Sequence, residues 1–479
     1  MSETSFSKTV AALGWNTIGN LVATIGSFIS LIVIARMLTP ADFGLYLLAL
    51  LTVTFLGLLT GALQQSIVQN QALETRHIDT IWTTSFVINS VLTLLLLVCV
   101  PWIGQLFRTP EIAPLLYACS VFLLLDVVIN TSAAILWRNL AFKAMALCDL
   151  MSSLASIAVG ISLAIWLKNP WALVGMEMTR RVIKALFLLY QSGWRPKWYF
   201  EVQALRDIAS YSLNMTYLDA IARVQTVSIG YAISGFMGTA ALGLYNLANR
   251  FLEQTRQALV YPALSISFPI LSKHQDHPDQ FREAHKNCAS LATLIGLPAY
   301  SGAIIVLPDL IPILFSDKWV PAIATTQLAM LAGCAMALAS VNGNVLRAIG
   351  RPDLLVRIVL IGFISILIGL AIASQYGIEV VMMAIIVKEL IFIGLTGIEI
   401  KKHAGLNWLT QFRPTFGPVI SALFMFVVLM LVKESLAADW SPLLRSISLI
   451  VLGVALYLGS LFVLDKPLIG QIKTLLRRG

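Results

Sequence analysis

An all-α polytopic membrane protein is predicted, with about fourteen transmembrane helices arranged as two pseudo-symmetric six-helix lobes and two further C-terminal helices. Three features of the sequence predict it. The 479 residues are 58% hydrophobic and only 12% charged, and the mean hydropathy of +0.84 lies far outside the range of a soluble globular chain. Windows of about 20 apolar residues, the length that crosses a bilayer, recur along almost the whole sequence. A short motif also returns midway along the chain, the mark of an internal repeat.

The windows fall at 10–35, 43–68, 80–103, 112–137, 144–167 and 171–191, then at 208–234, 241–271, 284–307, 321–346, 354–374 and 378–400, and last at 415–432 and 443–464. The first six form an N-lobe over 1–191. Residues 192–207 form a cytoplasmic linker, the next six windows a C-lobe over 208–400, and residues 401–479 an accessory helix pair with a cytoplasmic tail. The polar stretches between windows are far too short to fold as soluble domains, so function has to reside in the bundle. The first window lacks a signal-peptide cleavage pattern and reads as a retained helix.

With the N-terminus in the cytoplasm, the inner loops collect about twenty Lys and Arg against about six outside, a strong positive-inside bias. An even number of helices returns the C-terminus to the same side. The bias accounts for the net charge of +9, and no nucleic-acid partner is called for. Cys99, Cys119, Cys148, Cys288 and Cys334 lie in or near apolar windows without CxxC spacing and read as reduced, packed thiols. The histidines fall in loops or at helix ends; the HQDH run at 274–277 reads as solvated loop, not a metal site.

The repeat pairs ARMLTPADFGLYLLA (35–49) with SGFMGTAALGLYNLA (234–248), matching Gly44, Leu45 and Tyr46 to Gly243, Leu244 and Tyr245. A weaker echo pairs LWRNLAFKAM (136–145) with VLRAIGRPDL (345–354) and aligns Arg138 with Arg347. Each match joins the same numbered windows of the two lobes. Parallel six-helix repeats of this kind are one scheme of secondary transporters, which place substrate between the repeats near the bilayer midplane. No GxxxxGK[ST] loop is present, and there is no room for a nucleotide-binding domain. No cofactor is expected; the energy source is an ion gradient with Na+ or H+ as coupling ion, the membrane potential or the substrate gradient.

Charge inside the apolar windows marks the candidate site, since an ionisable group at the bilayer centre costs about 2.5–3.5 kcal/mol on insertion scales. In the 241–271 window, Asn246, Asn249, Arg250, Glu253 and Arg256 fall on one side of a helical wheel. In the 208–234 window, Asp219 and Arg223 stand four apart and can pair. The 10–35 window aligns Asn16 and Asn20, and the 43–68 window carries a small-residue seam of Gly57 and Gly61 leading to Gln64. These four segments form the walls of a hydrated cavity between the lobes. The plainer alternative pairs Arg223 with Asp219, and Arg250 or Arg256 with Glu253, as inert bridges.

Arginine grips phosphate bidentately, so surplus cationic charge favours an anionic group. Arg223, Arg250 and Arg256 are therefore the candidate anion-binding residues, with Asn16, Asn20, Gln64, Asn246 and Asn249 beside them. Asp219, Glu253, Asp126 and Glu177 are candidates for coupling or pairing. Arg180, Arg181 and Lys184 make a second cationic cluster that either extends the cavity or snorkels at a helix end.

The stretch GWNTIGNLVATIGSFISLIVIARMLTPADFGLYLLA, and within it Arg36, Leu38, Pro40, Asp42, Phe43, Gly44 and Tyr46, resembles the polysaccharide transporter family of the MOP superfamily, as does LWRNLAFKAM. Within that family the chain looks most like the Wzx-type flippases of exopolysaccharide synthesis. The resemblance implies a MOP/MATE-like fold and a flippase of the bacterial inner membrane. Its substrate would be an undecaprenyl-diphosphate-linked oligosaccharide repeat unit, moved from the cytoplasmic to the periplasmic leaflet by alternating access of the lobes. Membrane lipids, a polysaccharide polymerase and a chain-length regulator are the implied partners. A MATE-like ion-coupled drug antiporter, for which an acid-dominated cavity is expected, and a lipid II flippase are the alternatives. An enzyme such as a membrane glycosyltransferase would want a sizeable extramembrane loop with acidic residues, and the sequence has none.

Overall fold

The computed structural model describes residue 26 and residues 28–69, 73–206, 217–435 and 440–464. Among the described residues all regular structure is helical. The helices are α1 (Phe28–Met37), α2 (Pro40–Gln69), α3 (Thr75–Leu106), α4 (Ile112–Arg138), α5 (Phe142–Leu167), α6 (Trp171–Ser192), α7 (Tyr217–Met237) and α8 (Thr239–Thr255). A π turn (Arg256–Val260) leads to α9 (Tyr261–Lys273), α10 (Pro278–Phe315), α11 (Ala322–Leu338), α12 (Asn342–Ala348), α13 (Pro352–Tyr376), α14 (Ile378–Ala404), α15 (Trp408–Ser435) and α16 (Pro442–Leu464).

Among the described residues nine spans are long and apolar enough to cross a membrane. Helices α6, α7, α8 and α14 are not among them; α8 has only 17 residues, and each carries charge within its run, Arg180 and Arg181, Arg223, Arg250 and Glu253, and Lys388 with Glu389. The start of the first predicted window lies outside the described residues.

Local chemistry explains several boundaries. Thr39 is the N-cap of α2: its backbone N–H and hydroxyl both donate to the Asp42 carboxylate, at 2.8 and 2.7 Å, and the Asp42 N–H donates back to the Thr39 hydroxyl at 3.3 Å. Pro40 takes the first helical position, where no N–H is needed. Gly44, one turn later, lies so close to the first turn of α8 that a Cβ there would collide with the Thr239 carbonyl. Its repeat partner Gly243 meets the Pro40 carbonyl in the same way. The GLY motif of the repeat is thus a reciprocal backbone-to-backbone approach that only a residue without a side chain allows.

Pro262 and Pro269 in the 241–271 window are expected from sequence to bend or break the helix. No break occurs at Pro262: the helix runs on by widening, the Tyr261 N–H donates to the Arg256 carbonyl, five residues back, and Pro262 falls in the first turn of α9. The window at 284–307 is a longer helix, α10. Its 38 residues extend about 57 Å, well beyond a hydrocarbon core of about 30 Å, so its polar first turns stand clear of the membrane. The window at 321–346 is divided by a turn into α11 and α12.

By internal contacts the chain forms two compact units, Met1–Gly243 and Leu244–Gly479. In the first, α2 packs on α4 and α7, α4 on α3 and α6, and α5 on α6. The segment after α6 is pinned along α3: the Trp194 indole N–H donates to Asp79 at 2.9 Å, and Trp82 meets Trp198 edge-on at 4.9 Å.

In the second unit, α10 packs on α11, α15 and α16. Buried polar ties cross this bundle. Asn342 donates to the Thr396 hydroxyl at 2.9 Å, and the Tyr457 hydroxyl donates to the Leu294 carbonyl at 2.8 Å. Asp309 of α10 is buried and bridges Arg445 of α16 and Lys433 of α15, whose ammonium stands 3.4 Å from it. This shared carboxylate fastens the last two helices to α10.

Candidate functional site: a polar cavity in the first unit

Five helices of the first unit line an open cavity of about 580 Å3. One face of α2 contributes Thr54, Gly57, Thr60, Gly61 and Gln64, residues three or four apart that a helix stacks on one side. Helix α4 contributes Asp126, Asn130, Ala133 and Trp137 at the same spacing. Asn89 comes from α3, Arg181 from α6 and Arg223 from α7.

The two glycines of α2 make room. A Cβ on Gly61 would meet nothing within 4 Å, and one on Gly57 would meet only a Leu123 methyl at 3.9 Å. The seam read from sequence as part of a cavity wall borders open space among the described residues. In a helix interior each glycine costs about 0.5–1 kcal/mol relative to alanine, and no close packing in return explains their presence here.

Polar groups surround this space. The Asn89 amide donates to the Thr60 hydroxyl at 2.8 Å and to the Ser85 carbonyl at 2.9 Å. Gln64 is only 3% exposed, yet among the described residues neither its amide nitrogen nor its amide oxygen has a hydrogen-bond partner. An unpaired buried amide is rare and costs about 1–3 kcal/mol, so it needs an explanation.

The charges form a compensated network. The Arg181 guanidinium bonds Asp126 of α4 and, at 3.1 Å, Glu177 one turn back on its own helix. Its flat face lies over the Phe122 ring, 4.6 Å from the centroid. Arg180 stands 3.6 Å from the other oxygen of Glu177. Lys184 pairs with Asp149 of α5 at 2.6 Å. The residues read from sequence as a second cationic cluster are therefore individually paired with carboxylates, and of that group Arg181 reaches the cavity wall.

Among the other expected site residues, Gln64 and Arg223 line this cavity and Arg223 is exposed. Asp219 lies on α7, with its side chain outside the described residues, and Asn16 and Asn20 fall outside them altogether. Asn246, Asn249, Arg250, Glu253 and Arg256 belong to the second unit. Asn246 is buried, while Asn249 and Arg250 are half-buried. Arg256 donates twice to one oxygen of Glu253, at 3.1 and 2.9 Å, with both side chains more than a third exposed. Lys388 and Glu389 pair with each other. Thr60, Asn89 and Asn130 were not singled out from sequence. Their only signal was a polar residue on a helix face already holding Gln64, Asp126 or small residues.

No lining group is arranged as a nucleophile beside a base, and among the described residues no cluster of His, Cys, Asp or Glu could hold a metal ion. Amides, hydroxyls, an aromatic ring and a neutralised ion pair around an open volume are equipment for binding a polar molecule.

The chain is similar to the succinoglycan biosynthesis transport protein ExoT of Rhizobium meliloti (strain 1021), at 22% identity over all of this chain and 97% of the relative. It is similar also to the lipopolysaccharide biosynthesis protein WzxC of Escherichia coli (strain K12), at 21% identity over 72% of this chain and 71% of the relative. Among solved structures, the lipid II flippase MurJ in an inward closed conformation matches with a TM-score of 0.79 and 17% identity, covering 95% of this chain and 99% of that one. An inward-facing multidrug resistance MATE family transporter of the MOP superfamily matches with a TM-score of 0.62 and 14% identity, covering 82% and 99%. At such identities the structures speak to fold alone, and they establish the all-α, multi-pass, MOP-type architecture expected from the sequence. A family model described as polysaccharide biosynthesis protein matches residues 33–324, more than half of the sequence, and the chain belongs to that family.

Proposed function

We propose that the protein is a flippase that carries undecaprenyl-diphosphate-linked oligosaccharide repeat units across the bacterial inner membrane for exopolysaccharide, O-antigen or capsule synthesis. The observation that carries this reading is the polar cavity walled by helices of a membrane bundle, in a member of a polysaccharide biosynthesis family. A lipid-linked sugar has a head group too polar for hydrocarbon and a tail too apolar for water. A hydrated compartment alongside lipid serves both parts. Alternating access would move the head group while the tail stays in the bilayer, driven by an ion gradient with Na+ or H+ as the coupling ion, the membrane potential or the substrate gradient.

The diphosphate is assigned to arginine. Arg223 is exposed on the cavity wall, and Arg250 and Arg256 of the second unit are proposed for the same role, with Asn246 and Asn249 as neighbouring donors. Both termini are placed in the cytoplasm by the positive-inside bias. Polymerase and chain-length regulator would act on the delivered unit.

Deleting the gene should accumulate lipid-linked repeat units in the cytoplasmic leaflet and abolish the surface polysaccharide, and the wild-type gene should reverse both. The double variant Arg223→Ala, Arg256→Ala should fail to rescue. Full rescue by that variant would overturn the diphosphate assignment. Drug sensitivity with intact polysaccharide, or accumulation of peptidoglycan precursor instead, would replace the function with that of an antiporter or a lipid II flippase.

A further inference from the structure

We infer that the part of the cavity walled by α2, α3, α4 and α6 is a subsite for uncharged sugar, read by Gln64, and that the diphosphate of the same substrate lies outside that part, on the Arg223 side. The inference rests on the flippase reading and adds to it which part of the head group this cavity takes.

Three observations converge. First, the inner charges are spent. Arg181 is bonded to both Asp126 and Glu177, and Glu177 also faces Arg180, so two cations meet two carboxylates. A phosphate entering here would have to displace a carboxylate from Arg181 and would then lie beside it, a like-charge contact. Of the charged residues lining the cavity, only Arg223 lies apart from this network, on α7.

Second, the polar groups that remain suit hydroxyls. Gln64 offers a carbonyl oxygen and an amide nitrogen, both buried and both without a partner among the described residues. A sugar hydroxyl donates and accepts at once and can satisfy either atom, whereas a phosphate oxygen at neutral pH mainly accepts and would leave the carbonyl unpaired. Asn130 adds a second amide on α4, two turns before Trp137. The Trp137 ring, partly exposed and held edge-on by Phe142 at 5.7 Å, supplies an apolar wall for the C–H face of a pyranose. Sugar hydroxyls can replace cavity water bond for bond, so entry need not leave the polar groups unpaired.

Third, the volume is kept open by design of the sequence. Gly57 and Gly61 sit directly on the cavity face beside Gln64, and a Cβ at Gly61 would meet no described atom within 4 Å. A volume of about 580 Å3 is in the range of pockets that hold small molecules, roughly 300–1,000 Å3, enough for a few sugar residues.

The test uses the purified full-length protein and two probes: the repeat-unit lipid extracted from the deletion strain, and undecaprenyl diphosphate without sugar. Wild-type protein should bind the glycosylated lipid more tightly. Gln64→Leu, which keeps the volume and removes both polar atoms, should weaken binding of the glycosylated lipid about tenfold, the worth of one or two net hydrogen bonds. It should leave binding of the sugar-free lipid unchanged. Gly61→Phe should abolish the preference for the glycosylated lipid, while Gly61→Ala keeps it, and thermal melting of each variant reports whether it is folded. Equal weakening toward both lipids would show that the cavity grips the diphosphate or tail and overturns the sugar assignment alone. Unchanged binding of both by Gln64→Leu and Gly61→Phe would likewise overturn it. Wild-type protein that binds neither lipid would overturn the flippase reading itself.

Discussion

Gly61 and Gly333 are both helix-interior glycines in a membrane bundle, and they serve opposite ends. Gly333 of α11 lies against the ring of Tyr300, where a Cβ would come within 2.5 Å of ring carbons of a side chain that is itself fully buried. Gly61 of α2 faces a cavity and a Cβ there would touch nothing. The ionic networks divide in the same way. Asp309 is sealed between Arg445 and Lys433 and ties three helices together, whereas the Asp126 to Arg181 bridge forms part of a cavity wall. Charge within a membrane span, or a glycine in a helix, therefore does not by itself identify a site; the space beside it does.

Substitutions at matched positions break or sharpen this contrast. The largest effect is expected at Asp309→Ala, which strands two cations and should destabilise the fold by about 3–5 kcal/mol. Asp126→Ala should cost clearly less, because Arg181 keeps Glu177. Thermal melting in one detergent gives both values, and equal shifts would erase the distinction between clamp and wall. Next, Gly333→Ala should destabilise by about 1–3 kcal/mol, the usual penalty of overpacking; a variant that melts with the wild type would show that Tyr300 yields easily. Smallest, and of opposite sign, Gly61→Ala should stabilise by about 0.5–1 kcal/mol through helix propensity alone. A lower melting temperature for Gly61→Ala would mean that the α2 face closes against protein.

The fold was legible because apolar windows and positive-inside bias are properties of whole segments. What eluded the sequence was partnership. Asp126 and Arg181 are separated by 55 positions, and nothing in either helix announces that they meet. Lys433 and Arg445 sit near the predicted ends of their windows, where a charge on its own looks solvated, and nothing beside them in sequence points to Asp309. Gln64 was legible through its spacing from Gly57 and Gly61, a seam read as part of a cavity wall; small residues can equally signal close packing, and only the facing helices decide which. Thr60, Asn89 and Asn130 stayed hidden since a lone polar residue in an apolar helix looks the same whether it ties two helices or faces a cavity. Pro262 misled in another way, as a π turn upstream absorbs the missing N–H that sequence alone assigns to a break.

The paired glycines at the starts of α2 and α8 carry one more consequence. Gly44 sits against the α8 backbone at Thr239, and Gly243 against the α2 backbone at Pro40. This reciprocity, in which one copy's residue meets the other's neighbour and the reverse, is the signature of an isologous contact, the kind that identical subunits form about a two-fold axis. Here it is made within a single polypeptide by the two copies of one repeat. A half-length ancestor carrying the motif once would have possessed both sides of the joint already, and could have dimerised through it before the copies were fused.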